Sequence, residues 1–158
     1  MEYLWAPWRI QYMLQEKTEG CILCDKPKED NDRENYILFR GKHNFIMLNA
    51  YPYNPAHLLI APYRHAADLT LLTAEERGEH IELLSRSVTV VRETLNPGGF
   101  NVGANIGKVA GAGIDDHFHS HVVPRWQGDT NFVPVLSDIR VVPQALMDTY
   151  DVLIGKFQ

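Results

Sequence analysis

Hydrophobic and polar positions in this chain follow the short alternation of strands in most segments and the longer period of a helix in one. Apolar runs at 36–40 and 43–49 flank Gly41–Lys42, which predicts two strands joined by a tight turn. Three further strands are predicted, over 56–63, 100–107 and 117–124. The pattern therefore predicts a sheet of about five strands as the main element.

One long helix is predicted over 73–95. Thr73 precedes it with Glu76 three residues on, which is the pattern of a capping box. Apolar residues recur at helical spacing, at Ile81, Leu84, Val88, Val91 and Leu95. His80 lies among acidic neighbours and is interpreted as a solvated histidine of this helix. A short helix is predicted near the C-terminus.

Strands with one long helix between them, two of them joined by a tight turn, predict an α+β fold with a mainly antiparallel sheet. At 158 residues the chain is expected to be a single domain over 1–158. Residues 1–35 show no clean period and are interpreted as an N-terminal arm. Residues 127–158 are interpreted as a C-terminal extension.

Composition narrows the class of partner. The hydrophobic fraction is 45%, the charged fraction is 22% and the net charge is −5. An acidic chain argues against a general nucleic-acid coat, although a local pocket can still bind a small anion. No apolar run approaches the ~18 residues of a membrane span. The N-terminus lacks the pattern of a secretory signal, so a cytoplasmic location is expected.

The two cysteines of the chain, Cys21 and Cys24, form a Cys-x-x-Cys pair. A disulfide between them would close a very small loop and add little stability. In a reducing compartment the pair indicates half of a zinc site or a redox pair. The polar segment that follows favours zinc, with two unligated thiols as the remaining interpretation. Zinc needs four ligands, and histidines are the obvious source of the other two.

Three histidines alternate in "DHFHSHVVPRW", at His117, His119 and His121. On a strand they share one face, with about 6.6 Å between successive members. Adjacent imidazoles make poor core material because each carries polar nitrogens. Two chemical interpretations remain: three ligands of a catalytic zinc, or a nucleophilic imidazole whose neighbours position it and bind an anion.

The motif His-x-His-x-His followed by two apolar residues resembles the signature of the histidine triad (HIT) superfamily of nucleotide hydrolases and transferases. The strand "HLLIAP" before a helix, and "NVGANIG" with its glycine-rich turn before the triad, follow the order of that superfamily. The resemblance covers residues 21 to 126. The segments "LWAPWR", "LNAYPYNPAHLLIAPYRH" and "HVVPRWQGDTNFVPVL" are similar to the prokaryotic branch that includes diadenosine tetraphosphate phosphorylases.

The resemblance implies a HIT-like fold, a homodimer and a division of roles. The middle histidine, His119, would be the nucleophile that attacks the α-phosphorus of a nucleotide. His121 would contact the phosphate oxygens, and His57 would lie near the nucleophile. Asn49 would bind the ribose hydroxyls. Asn105 and the loop from Gly107 to Gly113 would lie near the phosphates, although either asparagine can instead cap a turn.

The resemblance also supplies a ligand set for zinc, namely Cys21, Cys24, His65 and His117. Four protein ligands would close the site, so the metal would be structural and would have no position for an activated water. No organic cofactor is expected. The N-terminal arm would then carry half of the zinc site.

The sequence departs from the superfamily pattern just before the triad. Many HIT hydrolases have Gln-Ser or Gln-Thr where this chain has Gly113 and Ile114. The side-chain donors to a bridging oxygen are therefore missing, and choice of substrate is the property most affected. Lys108 and Arg125 are candidates for a second anion subsite.

The function implied is a nucleotidyl transferase that cleaves dinucleoside polyphosphates, with inorganic phosphate as the final acceptor. A hydrolase of nucleoside phosphoramidates or dinucleoside polyphosphates, with water as the acceptor, is the alternative within the same superfamily. A nucleotide-binding protein without turnover is an alternative of another class. The substrate in each case is a small-molecule nucleotide, with no nucleic acid and no membrane as partner.

Overall fold

The structure is a computed structural model of the chain, and it describes residues 20–114, 116–129 and 144–158. Most of the predicted N-terminal arm, including "LWAPWR", lies outside the described residues. So does the middle of the predicted C-terminal extension.

A five-stranded antiparallel sheet forms the centre of the described fold, and it confirms the predicted α+β class. Its strands are β1 (Ile37–Arg40), β2 (Asn44–Leu48), β3 (Leu58–Pro62), β4 (Gly99–Ala104) and β5 (Ser120–Arg125). They are arranged in the order β1-β2-β3-β5-β4, so the strand that carries His121 lies between β3 and β4. The predicted tight turn at Gly41–Lys42 joins β1 to β2.

Three helices accompany the sheet in the described residues. They are α1 (Ile22–Asp25), α2 (Ala74–Leu95) and α3 (Leu146–Ile154). Short 3-10 turns occupy Lys26–Lys28, Leu69–Leu71 and Lys108–Ala110. The long helix and the short C-terminal helix are confirmed, and no described helix is long and apolar enough to cross a membrane.

Every residue of β2 and β3 is buried, because both faces of the sheet are covered. On one face, Ile46, Leu58 and Ile60 pack with residues of α2 and α3 in the larger apolar cluster. On the other face, Phe45 and Leu59 pack with Leu23 from α1. Leu23, between the two cysteines, thus covers part of the second face of the sheet, whereas the neighbouring Ile22 is exposed.

The long helix begins as predicted, with Thr73 as its N-cap and a complete capping box with Glu76. It ends at Leu95, and the C-cap residue Asn96 adopts a left-handed conformation with φ 47°. The predicted buried face is partly wrong, since Ile81 is 62% exposed. The helix buries a face with more polar character, formed by Glu76, His80, Leu83, Ser87, Val90 and Val91.

The interpretation of His80 as a solvated histidine is wrong, since its side chain is buried at 4% exposure. It lies between the helix and the sheet and forms hydrogen bonds to Asn44 and Ser120. Of its acidic neighbours in sequence, Glu82 is exposed, whereas Glu79 is half-buried and accepts a hydrogen bond from the same Asn44 that contacts His80.

The largest differences from the predicted strand boundaries, three residues each, are at the start of the fifth strand and the end of the fourth. The fifth strand begins at Ser120, so His117 and His119 precede the ladder. The fourth strand ends at Ala104, after which the chain enters the glycine-rich loop. A regular alternation of side chains therefore does not extend over all three triad histidines.

We expect the Glu76→Gln variant to lose roughly 2 kcal/mol of unfolding free energy at pH 7, a typical value for hydrogen bonds to a charged group. Two Arg64 nitrogens lie 2.8 and 2.7 Å from the Glu76 carboxylate oxygens, and they hold the pKa of Glu76 at about 2. Because that pKa is depressed, the stability is fully present above the ordinary carboxyl pKa and is lost as pH falls toward 2. Urea unfolding at pH 7 and pH 3 measures the effect.

The matched control is Glu82→Gln, an exposed position on the same helix. It should unfold like the wild-type protein at both pH values. A Glu76→Gln deficit of the same size at pH 3 as at pH 7 would contradict the assignment of that stability to the ionised carboxylate.

Candidate active site and metal site

The pairing of β5 with its two neighbours assembles the candidate site. His121 is the register partner of Leu59 in β3 and of Gly103 in β4. His57 comes directly before β3 and is completely buried. This pairing brings His57 beside the triad although the two are far apart in sequence.

The four residues that the resemblance names as zinc ligands lie together. The ligand atoms of Cys21, Cys24, His65 and His117 are all within 4.8 Å of one another. His117 Nδ1 lies 3.1 Å from Cys21 Sγ and 3.4 Å from Cys24 Sγ, and His65 Nδ1 lies 3.3 Å from Cys24 Sγ. Two thiols and two imidazoles that converge in this way form a donor set suited to a tetrahedral metal ion such as Zn²⁺.

A hydrogen bond orients His117 as a ligand. Its Nε2–H donates to the Pro62 carbonyl oxygen at 2.8 Å. The proton of the neutral ring is thus on Nε2, which leaves a lone pair on Nδ1, the nitrogen beside the thiols. Burial lowers the pKa of His117, which favours this neutral form.

The redox alternative for the cysteine pair has no support in the local electrostatics. Burial and the hydrogen bond to Cys21 raise the pKa of the Cys24 thiol to about 11. A reactive thiol normally has a lowered pKa. A bound divalent cation, by contrast, stabilises the thiolate form. The pair therefore fits a metal site better than a redox site.

The middle histidine, His119, is held by the backbone of the same motif. Its Nδ1–H donates to the His117 carbonyl oxygen at 2.8 Å, so its lone pair is on Nε2. Burial lowers the pKa of His119, and the hydrogen bond to the carbonyl partly offsets this effect. The ring is therefore neutral near pH 7, with a defined nitrogen available for attack.

His57 and His121 form a second oriented pair. The backbone N–H of Tyr53 donates to His57 Nδ1 at 3.1 Å, which puts the His57 proton on Nε2. The His57 Nε2–H donates to His121 Nδ1 at 2.9 Å, which leaves the His121 proton on Nε2. The rings of His119 and His121 are 5.0 Å apart in an edge-on arrangement. The lone pair on His119 Nε2 and the N–H donor at His121 Nε2 thus lie on adjacent rings.

The two asparagines both act in turns, as one interpretation of the sequence allowed. Asn49 Oδ1 accepts from the Tyr51 N–H at 2.9 Å, and its own backbone N–H donates to the His57 carbonyl. Asn105 Nδ2 donates to the Gly111 carbonyl at 3.3 Å across the glycine-rich loop. Gly107 has φ 82°, a conformation that favours glycine. Contacts of these residues with a nucleotide stay predictions.

The positions that depart from the superfamily pattern carry no polar side chain. Ile114 packs against the apolar cluster around Leu23, and Gly113 is exposed. Arg125, a candidate for an anion subsite, is held by Asp129 at 2.6 and 2.9 Å and by Asn101 at 2.8 Å. A phosphate at Arg125 would therefore have to compete with a carboxylate.

Sequence reasoning missed a group of buried polar residues behind β5, formed by Asn44, His80 and Ser120. Of these three residues, the sequence analysis considers only His80, as a solvated histidine of the long helix. Its burial would have followed from a helical face drawn through polar as well as apolar positions.

Comparisons with known proteins identify the family of the chain. The HIT domain family model matches residues 31–128. The AP-4-A phosphorylase of Mycobacterium tuberculosis is 36% identical over 157 residues, which cover 94% of this chain and 80% of that protein. A bis(5'-adenosyl)-triphosphatase of Dictyostelium discoideum is 32% identical over 97 residues, which cover 61% of this chain and 64% of that protein.

A solved structure of a Zn-bound histidine triad family protein from Mycobacterium smegmatis has the same fold. It matches with a TM-score of 0.63 and 28% identity, over 77% of this chain and 83% of that one. The matched family model spans more than half of the chain and includes the triad. The chain therefore belongs to the HIT domain family and is an enzyme of the HIT type.

Proposed function

We propose that the protein is a nucleotidyl transferase that cleaves dinucleoside polyphosphates, and that with diadenosine tetraphosphate and inorganic phosphate it yields ADP and ATP. The observation that carries the proposal is the hydrogen bond from His119 Nδ1–H to the His117 carbonyl, which leaves Nε2 as a nucleophile. The name of the mycobacterial relative, AP-4-A phosphorylase, supports the substrate class.

In the first step, Nε2 of His119 attacks the α-phosphorus of one adenylyl group. A nitrogen–phosphorus bond forms as the bond to the bridging oxygen breaks, and ATP leaves with the electron pair of that bond. The enzyme then carries AMP on His119. In the second step, an oxygen of orthophosphate attacks the same phosphorus, which gives ADP and restores the imidazole. Positioning and charge stabilisation supply most of the catalysis in such transfers.

His121 and His57 support the first step. His57 donates to His121 Nδ1, so His121 presents an Nε2–H that can stabilise a phosphate oxygen. Burial lowers the pKa of His121 to about 4, so the ring is neutral near pH 7. Its contribution is therefore a directed hydrogen bond rather than a positive charge.

The second candidate is hydrolysis, with water in place of orthophosphate. The observation that favours it is the engagement of Arg125 with Asp129, which occupies one predicted group for a phosphate acceptor. The name of the Dictyostelium relative, bis(5'-adenosyl)-triphosphatase, also supports this candidate. Phosphorolysis would then depend on other donors, among which Lys108 lies at the exposed glycine-rich loop.

We propose zinc as the metal of the Cys21, Cys24, His65 and His117 cluster. Two sulfurs and two imidazoles match its preference, and the similar solved structure is described as Zn-bound. The ion would tie the chain around α1 to the segment before β5. All four ligands come from the protein, so its role is structural.

We also propose a homodimer formed through β4. That strand is at the edge of the described sheet, where its backbone groups can pair with another strand. Residues 101–104 are exposed, and Val102 is 50% exposed. An apolar edge strand of this kind favours pairing with a second copy.

A product assay tests the reaction. We expect diadenosine tetraphosphate to yield ADP and ATP only when orthophosphate is present, because the adenylyl group needs that acceptor. His119→Ala should reduce turnover by at least about 1,000-fold, as expected for loss of a nucleophile. Separation of the nucleotides by chromatography measures both results.

His43→Ala is a suitable control, because His43 belongs to the β1–β2 turn and not to the triad. It should keep wild-type turnover. AMP and ATP formed with or without orthophosphate would replace phosphorolysis by hydrolysis. Nucleotide binding without any product would instead favour a binding protein.

The metal proposal predicts one zinc ion per chain by elemental analysis of the purified protein. Cys24→Ser should remove most of it and lower the melting temperature, because a tetrahedral site loses one of its four ligands. His119→Ala should keep it, since that ring donates to a carbonyl. Zinc that follows His119 and not Cys24 would support a catalytic zinc held by the triad.

The dimer proposal predicts twice the chain mass by light scattering. Val102→Asp should shift the protein toward monomer, because a charged side chain on an edge strand disfavours pairing with another strand. Val152→Asp, at an exposed apolar position of α3, should leave the dimer intact. A wild-type monomer would refute the proposal.

A further inference from the structure

A buried chain of polar side chains lies directly behind the triad. Asn44 of β2, His80 of α2 and Ser120 of β5 are each no more than 5% exposed. His80 Nδ1 lies 3.0 Å from Asn44 Oδ1, and His80 Nε2 lies 2.8 Å from Ser120 Oγ. Three elements that are distant in sequence thus meet through one imidazole.

The hydrogen bonds that link these three side chains all run in one direction, with each side chain donating to the next. Asn44 Nδ2 donates to the Glu76 carbonyl at 3.0 Å and to Glu79 Oε2 at 3.2 Å, so Asn44 Oδ1 is the acceptor for the His80 Nδ1–H. His80 Nε2 is then unprotonated and accepts from the Ser120 hydroxyl. Burial, reinforced by the nearby His119, lowers the pKa of His80 to about 4 and keeps this neutral form.

At the Asn44 end of this series of side chains, Glu79 binds the turn between β1 and β2. The Glu79 carboxylate accepts the backbone N–H groups of Lys42, His43 and Asn44 at 2.6, 2.6 and 2.7 Å. A Cβ atom at Gly41 would lie only 2.8 Å from a Glu79 carboxylate oxygen. The turn between β1 and β2 is therefore fitted closely around this carboxylate.

At the Ser120 end of this series of side chains, the contacts of His80 hold the backbone on both sides of His119. Ser120 is the residue between His119 and His121, and it pairs with Ile60 and Ala104 in the sheet. The ring of Phe118, on the other side of His119, lies 5.2 Å from the ring of His80. His80 thus contacts both sequence neighbours of His119.

We propose that His80 is a positioning residue, which through the Ser120 hydroxyl fixes the backbone of His119 and His121 against the long helix. The inference rests on the proposed function, in which His119 attacks and His121 donates. A fixed backbone sets the distance between the two rings, and errors of about 1 Å in such a site can cost about 100-fold in rate.

Steady-state and single-turnover kinetics test the role. We expect Ser120→Ala to lower kcat and the rate of adenylyl transfer to His119 by about 10- to 100-fold, with KM changed less than about 3-fold. Ser120→Thr keeps the hydroxyl and should recover most of the rate. His80→Leu should resemble Ser120→Ala, and the double variant should be no worse than the single ones, because both remove the same hydrogen bond.

Ser87→Ala is the matched control. Ser87 is completely buried on the same helix, and its hydroxyl has no hydrogen-bond partner among the described residues. The change removes a buried serine hydroxyl, as Ser120→Ala does, without breaking a hydrogen bond among the described residues. It should keep wild-type kcat.

A second readout does not depend on turnover. The ¹⁵N shifts of the imidazole nitrogens report the tautomers of His119 and His121 in the zinc-loaded protein. We expect Ser120→Ala to broaden or shift them, and Ser87→Ala to leave them unchanged. Wild-type shifts and wild-type kcat in Ser120→Ala, with only a lower melting temperature, would overturn the inference. A wild-type protein without turnover would refute the proposed function, and the shifts would then decide the inference alone.

Discussion

A neutral imidazole carries one donor and one acceptor, and this asymmetry organises the centre of the molecule. Five histidines lie around β5, and each has a defined partner for at least one ring nitrogen. Backbone groups of Pro62, His117 and Tyr53 fix three of the rings directly. The remaining assignments follow, because a nitrogen that accepts leaves the proton on the other one. The hydrogen bonds thus give chemically identical side chains different protonated nitrogens, and the proposed roles in metal binding, attack and anion contact depend on this difference.

One residue connects the metal site to the candidate nucleophile. The His117 side chain belongs to the metal cluster, and its carbonyl accepts the Nδ1–H of His119. A cation that holds the His117 ring therefore also restrains the acceptor that sets the His119 tautomer. A structural metal at this cluster would in this way restrain the candidate nucleophile without contact with substrate.

Local signals in the sequence predicted the elements that local chemistry determines. The capping box of Thr73 and Glu76, the turn at Gly41–Lys42 and the strands with short alternation were all predicted before the structure. The metal cluster was predicted from the superfamily resemblance. Cys-x-x-Cys indicated only half of a site, and its partners His65 and His117 are separated from it by more than 40 residues.

The features that escaped prediction depend on contacts across the sheet. His80 and Ser120 are 40 residues apart, and neither has a local pattern that indicates burial. The helix face was drawn through apolar residues, so Ile81 was placed in the core and His80 in solvent. The engagement of Arg125 with Asp129 was missed for a related reason, since a charge in a sequence does not reveal whether it is already paired.

The buried polar chain is unusual in its position rather than in its chemistry. An apolar group at His80 would also fill the space beneath β5, and burial of polar groups adds little net stability even when each one is satisfied. Satisfied polar networks do, however, select one arrangement among several of similar packing. Phosphoryl and nucleotidyl transfer depend mainly on the placement of donors and nucleophile. A network that fixes Ser120 from behind, between two histidines that must keep their separation, therefore makes more physical sense as a device for positioning than as a contribution to stability.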